Sequence, residues 1–188
     1  MVQLFSVKIK ERTRYGFLFI MLLKNKFHLL AASLYFAGMY NKQEATLLRK
    51  KFWTKFGQYM QPLPGEAGKP VNWLNYKTGI RHLYFRMDAD NNQATIAIEM
   101  RHDDLLLQQY YFEKFREHEI MFKSMMNESW EWKLLTIDED GKQVTRISAV
   151  LKGVNVFNTT DWPLIISFLK PRMIALDTFW ALVKDRFE

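Results

Sequence analysis

The chain contains no cysteine among its 188 residues. That absence excludes a disulfide scaffold, a thiolate zinc site and a cysteine nucleophile. Proline and glycine are scarce, at five and eight residues, and no stretch rich in them divides the chain. Hydrophobic residues make up 48% of the chain and charged residues 25%, which is the mixture of an ordinary globular protein. The composition therefore predicts folded structure rather than disorder over most of the length.

Long apolar runs are also missing. A transmembrane helix needs roughly 18 or more mostly apolar residues, and Lys24 and Lys26 interrupt the apolar stretch that begins at Tyr15. Residues 1–38 are therefore open to three interpretations. They are an upstream start wrongly included in the sequence, a membrane or export segment, or a genuine helical hairpin.

The first well-formed helix signal lies just after this extension. Asn41 and Glu44 have the spacing of a helix N-cap and its reciprocal glutamate, and Met39 stands two residues before Asn41. We therefore predict a single domain over residues 39–188. Its expected location is the cytoplasm, with membrane association or export only if residues 1–38 are genuine.

The surplus of positive charge is confined to the extension. The formal net charge is +7, but residues 1–38 hold six basic residues and one acidic residue. The other 150 residues hold 21 basic and 19 acidic side chains. The predicted domain is close to neutral, so global basicity gives no reason to expect it to bind nucleic acid.

Three helices are predicted from apolar residues at helical spacing. They are residues 41–60, a helix capped by Asp103 or Asp104 that runs to about Met126, and a helix that begins at Asp161. Pro171 lies inside the third helix and is expected to kink it. Residues 71–79 are predicted as a short strand or an ordered loop.

Two β-hairpins are predicted from turn signals between apolar strands. They are His82–Asp88 with Gln93–Met100 around Asn91-Asn92, and Trp130–Asp138 with Gln143–Leu151 around Asp140-Gly141. These elements predict an α+β fold, in which an antiparallel sheet built from two hairpins is packed on one face by three helices.

The register of each hairpin follows from placing apolar residues opposite one another on one face. In the first hairpin, pairing Asp90 with Gln93 places three pairs of apolar residues opposite one another: Met87 with Ile96, Phe85 with Ile98, and Leu83 with Met100. In the second, pairing Glu139 with Lys142 gives Leu134 opposite Ile147, Trp132 opposite Ala149, and Trp130 opposite Leu151.

The other face of the first hairpin, with the segment before it, holds aromatic side chains next to arginine and lysine. Such interleaving on an open sheet is typical of modules that hold single-stranded nucleic acid, and a protein partner could use the same side chains. The alternative is a solvated sheet face with Trp73 and Tyr76 in the core. Arg146 and Lys133 could extend the surface, although the predicted register points them to opposite faces. The candidate binding residues are Trp73, Tyr76, Lys77, Arg81, Tyr84, Arg86 and Arg101.

A metal-dependent nuclease site is the sharpest enzymatic alternative. It would use Asp88 or Asp90 with Glu99 to hold a divalent ion. In the predicted register Glu99 lies opposite Tyr84, four residues from Asp88, so the two carboxylates are about 13 Å apart and too distant to share one ion. Arg101 stays protonated and is a poor substitute for the lysine that such sites use. No catalytic residue, metal ligand or cofactor is therefore predicted.

Several short segments resemble one bacterial family. The segments are Phe52–Met60, Val71–Gly79, Tyr84–Asp88, Ile96–Glu99 and Asp161–Pro163. Through them, over about residues 41–188, the chain resembles the family called domain of unknown function 4268. In longer relatives a similar domain follows a nuclease-like domain, so the resemblance implies a supporting role near nucleic acid, by association only.

The sequence favours a non-enzymatic binding or accessory module whose partner class includes nucleic acid. Two alternatives stay open. One is a degenerate or unconventional metal-dependent nuclease-like hydrolase, which would use Asp88 and Glu99. The other is a protein–protein interaction module, which would use the same exposed aromatic and arginine side chains.

Overall fold

The computed structural model describes residues 42–187. The interpretations of residues 1–38 and the predicted cap at Asn41 lie outside the described residues. The chain divides into two compact units, residues 1–47 and residues 48–188. Of the first unit only residues 42–47 are described, and they are helical. The fold below is that of the second unit.

The sheet has four strands in the order β1-β2-β4-β3, and every neighbouring pair is antiparallel. The strands are β1 (Leu83–Ala89), β2 (Gln93–Met100), β3 (Glu131–Ile137) and β4 (Gln143–Lys152). Each predicted hairpin forms, and the two hairpins lie side by side because β2 pairs with β4. The predicted α+β fold with an antiparallel sheet is confirmed.

Four helices are present in the described part of the chain. They are α1 (42–60), α2 (Leu105–Glu117), α3 (Glu119–Met126) and α4 (Trp162–Val183). α4 continues through Pro171. The segment before β1 is an ordered loop with one turn of 3-10 helix, Trp73–Asn75, which the side chain of Asn72 caps.

The predicted helix that runs to Met126 is interrupted at His118. The backbone of His118, with φ −108° and ψ 13°, leaves the helical region, and its N–H donates to the carbonyl of Phe115 at 3.1 Å. The break allows both halves to pack on α4, since Phe115 and Phe122 each contact the ring of Phe179. Tertiary packing has here overridden a continuous helical pattern.

The register of the first hairpin is as predicted, with Phe85 opposite Ile98 and Met87 opposite Ile96. Its inward side chains and those of β4 form one wall of the core, and the buried sides of the four helices, with α4 contributing most, form the other. Ten residues of α4 are buried, nine of them apolar: Trp162, Ile165, Phe168, Leu169, Met173, Leu176, Asp177, Phe179, Trp180 and Val183.

The predicted register of the second hairpin is wrong. Trp132 lies opposite Ile147 rather than Ala149, and the pairing shifts between Lys133 and Thr136. Leu135 causes this bulge, because it adopts a left-handed backbone with φ 50° and donates its N–H to the Thr145 hydroxyl at 3.1 Å instead of to the ladder.

The observed pairing also shows which residues of the second hairpin share a face. Lys133 lies directly opposite Arg146, so the two side chains leave the sheet on the same side. The prediction that they point to opposite faces is therefore wrong. Both residues belong to the outer face, the side of the sheet that carries Tyr84 and Arg86.

Candidate binding basin on the outer face of the sheet

The outer face of the sheet holds an open cavity of about 520 Å³, called the basin below. Its walls come from β1, β2, β4 and the two hairpin turns, and no described helix contributes to it. The lining residues are Arg86, Met87, Asp88, Asp90, Gln93, Thr95, Ala97, Glu99, Arg101, Asp138, Glu139, Asp140 and Arg146.

Small residues at the centre of the sheet form the floor of this depression. Ala97 and Ser148 are paired across β2 and β4, and both are buried although they lie on the outer face. Arg86 lies opposite Ala97 on β1, and Arg146 lies two residues from Ser148 on β4. Long side chains therefore surround short ones, which gives the face its concave shape.

Glu99 is the centre of the charge arrangement. Glu99 is 5% exposed, and each of its carboxylate oxygens contacts at least one arginine side chain. Oε2 lies 3.0 Å from Nη1 of Arg101 and 3.2 Å from Nε of Arg86, while Oε1 accepts from Nη2 of Arg146 at 2.7 Å. A buried carboxylate requires such partners, and three guanidinium groups more than neutralise it.

Asp138, in the turn after β3, supplies a second counter-charge by accepting from Arg101. The backbone N–H of Lys142 donates to its carboxylate at 2.9 Å. This hydrogen bond and the charge of Arg101 hold the pKa of Asp138 below its ordinary value. Burial lowers the pKa of Arg101, but its bonds to Glu99 and the charges of Glu99 and Asp138 outweigh burial and raise that pKa.

Carboxylates also border the basin at both ends. At the turn between β1 and β2, Asp90 accepts from the backbone N–H groups of Asn92 and Gln93, and Asp88 is paired with Arg49. At the opposite turn, Glu139 and Asp140 are exposed. The basin thus has acidic ends and an arginine-rich centre.

The structure brings together three of the residues predicted from sequence. Tyr84, Arg86 and Arg101 all belong to the outer face, and the Arg86 guanidinium carbon lies 4.7 Å from the centre of the Tyr84 ring. That stacking supports the orientation of the arginine. Arg86 remains 54% exposed at its side chain, so it is available to a partner.

Trp73 and Tyr76 do not join this surface. Trp73 is buried and its indole N–H donates to the carbonyl of Leu63 at 3.0 Å. Tyr76 stacks on the inward Phe85 at 5.1 Å and donates to Asp177 at 2.6 Å. Burial, then the hydrogen bond to Asp177, raise the pKa of Tyr76. Trp73 therefore lies in the core, and the partly buried Tyr76 packs against it.

Lys77 and Arg81, the other two candidates, are exposed but do not line the basin. Asp138 was not among the candidates predicted from sequence, and Arg146 was named only as a residue that could extend the surface. Arg146 alternates with the inward Ile147 along β4 and therefore lies on the outer face. Its Nε is buried and has no hydrogen-bond partner among residues 42–187, which is a costly state for a donor.

The described residues do not form a metal site. No group of three or more His, Asp or Glu side chains within residues 42–187 is arranged to hold a metal ion. Glu99 lies opposite Tyr84, whereas Asp88 lies opposite Thr95, and both oxygens of Glu99 are engaged by arginine. The chemistry that this arrangement supports is recognition of charge.

Comparison with known families supports the start of the second compact unit at residue 48. The family model named domain of unknown function (DUF4268) matches residues 48–184, which is well over half of the chain. The chain belongs to the DUF4268 family. The matched range nearly coincides with the second compact unit. No curated protein and no solved structure matched the chain.

The family description assigns no activity, so any function must be argued from the basin. The helices add one finding: none within residues 42–187 combines the length and the apolar character needed to cross a membrane.

Proposed function

We propose that this DUF4268 domain is a non-enzymatic binding module that holds a charged partner in the basin. One observation carries the proposal: three arginines from β1, β4 and the end of β2 converge in an open depression on the outer face of the sheet. Arginine presents several donors in a fixed plane, which suits recognition of carboxylate or phosphate groups.

The arginines are held before a partner arrives. Arg101 is fixed by Glu99 and Asp138, Arg146 by Glu99, and Arg86 by Glu99 and the Tyr84 ring. Side chains that are already ordered lose less conformational entropy on binding. The proposal therefore predicts that Arg86, the most exposed of the three, contributes directly to affinity.

Fluorescence anisotropy tests the proposal with the full chain. The probes are labelled single- and double-stranded DNA and RNA, together with peptides selected from a random display library, each at low and moderate salt. Binding to nucleic acid through phosphates should weaken steeply as salt rises. Ala97→Leu, which fills the floor without changing charge, and Arg86→Ala should each weaken binding by about tenfold or more.

Lys184→Ala is the matched control, because it removes one positive charge from an exposed residue outside the basin. It should leave affinity within about twofold of the wild-type value. Binding that is insensitive to Ala97→Leu and Arg86→Ala contradicts the proposal, and so does a chain that binds none of these probes.

A further inference from the structure

The order of charges along the basin restricts the partner further. From one end to the other, the lining runs from Asp90 and Asp88, through the arginines around Glu99, to Asp138, Glu139 and Asp140. Asp88 is paired with Arg49 and Asp138 with Arg101, so Asp90 at one end and Glu139 and Asp140 at the other supply the carboxylates that no ion pair among residues 42–187 neutralises. Three arginines therefore share the basin with six carboxylates. The pattern is acidic, basic, acidic.

The length of the basin follows from the register of β2. Thr95, opposite Asp88, marks the acidic end near the first turn, and Arg101, bonded to Asp138, marks the other end. The two residues are six positions apart in the chain, which corresponds to about 20 Å at the rise of an extended chain. An extended polypeptide of about seven residues spans the same distance.

A nucleic-acid strand fits this charge order poorly. It carries one negative charge on every nucleotide, so a strand laid along the basin would place phosphates against both acidic ends. Like charges in direct contact across an interface cost several kcal/mol. The basic residues Lys133 and Lys152 lie on β3 and at the end of β4, outside the lining.

Building on the proposed function, we infer that the basin binds an extended polypeptide segment in which one acidic residue is flanked on both sides by basic residues. The acidic side chain meets Arg86 and Arg146 at the centre, where guanidinium groups already hold the carboxylate of Glu99. The flanking basic side chains meet the carboxylates of the two hairpin turns. Both contacts match charge with opposite charge, which gives specificity and orientation.

Three labelled peptides of seven residues test the charge order against the full chain. The first is Lys-Ser-Ser-Asp-Ser-Ser-Lys. The second has the same composition in another order, Asp-Ser-Ser-Lys-Lys-Ser-Ser, and the third reverses every charge, Glu-Ser-Ser-Lys-Ser-Ser-Glu. Titrations to millimolar concentration, followed in amide NMR spectra, should show the first peptide binding about tenfold or more tightly than the other two.

Reversing one negative charge at an acidic end of the basin tests the predicted contact there. Glu139→Lys should weaken binding of the first peptide by about tenfold and should strengthen binding of single-stranded DNA or RNA. Asp185→Lys makes the same change in net charge at an exposed residue outside the basin. It should alter neither affinity by more than about twofold.

The outcomes separate this inference from the proposed function. If the three peptides bind equally, or if none binds while a nucleic acid does so through Arg86, the inference is overturned and the binding module stands. If Ala97→Leu and Arg86→Ala leave every observed binding unchanged, or if no probe binds at all, the proposed function falls together with the inference.

Discussion

At the scale of single residues, Glu99 determines how the outer face is organised. One buried carboxylate holds guanidinium groups from three different parts of the sheet. Without it, Arg86, Arg101 and Arg146 would repel one another, and their side chains would extend into solvent. Glu99 is therefore the residue that fixes the positions of the arginines for a partner.

Glu99→Gln should destabilise the fold by about 1–3 kcal/mol, because it leaves three partly exposed guanidinium groups without the buried counter-charge that they share. Urea denaturation followed by tryptophan fluorescence measures the change. Glu117→Gln is the control, since the Glu117 side chain is 58% exposed and, within residues 42–187, its ion pair is with Lys114 of its own helix. An exposed pair of this kind contributes less than about 1 kcal/mol, and equal losses in the two variants would contradict the role given to Glu99.

Asp138 makes the stability of the turn after β3 dependent on pH. Its pKa is lower in the folded chain than in the unfolded chain, so its contribution is full above the unfolded value of about 3.9 and is lost as the pH falls through the folded value. Asp138→Asn should therefore be less stable than wild type at pH 7, and the difference should shrink below about pH 4. Denaturation curves over this range measure it, and a difference that is constant with pH would refute this account.

At the scale of elements, one carboxylate on α4 accepts two hydrogen bonds from the loop between α1 and β1. Asp177 is buried and accepts from the Tyr76 hydroxyl and from the backbone N–H of Glu66, each at 2.6 Å. The neighbouring Thr178 donates to the side chain of Glu66 at 2.9 Å. These contacts hold the loop over the core and keep Tyr76 away from the outer face.

Gly65→Ala should disrupt this attachment. A Cβ at Gly65 would lie 2.5 Å from Cγ2 of Val71 and 3.1 Å from the Asp177 carboxylate, and such overpacking costs typically about 1–3 kcal/mol. The measurement is the free energy of unfolding in urea.

Gly57→Ala gives the comparison within a helix. Its Cβ would meet the end of the exposed Leu74 side chain at 2.8 Å, which can move aside, and alanine favours helix over glycine by up to about 1 kcal/mol. This variant should therefore be near neutral or stabilised. If Gly65→Ala is equally well tolerated, the close packing assigned to the loop is wrong.

The two hairpins show how far the sequence alone predicts the sheet. The first has apolar residues at strict alternation and a two-residue turn, so pattern and turn geometry agree on one register. In the second, the same rules fail because Leu135 adopts a left-handed backbone. Leucine rarely takes that conformation, and no pattern in the sequence indicates it.

The same contrast applies to the candidate site. Tyr84, Arg86 and Arg101 were predicted correctly as outer-face residues, because the register of their hairpin was correct. Arg146 lies on the outer face because it alternates with the inward Ile147 along β4, and this alternation can be read from the sequence. The positions of Trp73 and Tyr76 depend on Leu63 and Asp177, which are 10 and 101 residues away in sequence, and local pattern carries no information about such distant partners.

At the scale of the whole molecule, two surfaces compete as sites for a partner. One is the basin. The other is the exposed side of α2 and α3, where Leu106 is 75% and Ile120 89% exposed. Exposed apolar residues are common on the surfaces of soluble proteins, whereas in the basin three arginines converge on one buried carboxylate. We therefore assign binding to the basin.

Amide chemical-shift mapping of the full, nitrogen-15-labelled chain tests this assignment most directly, with the tightest-binding probe added in steps. We predict that the largest changes occur at the amide signals of Thr95, Ala97 and Ser148 and at the Nε–Hε signals of Arg86 and Arg146. Changes concentrated on α2 and α3, with these basin signals unmoved, would contradict this assignment.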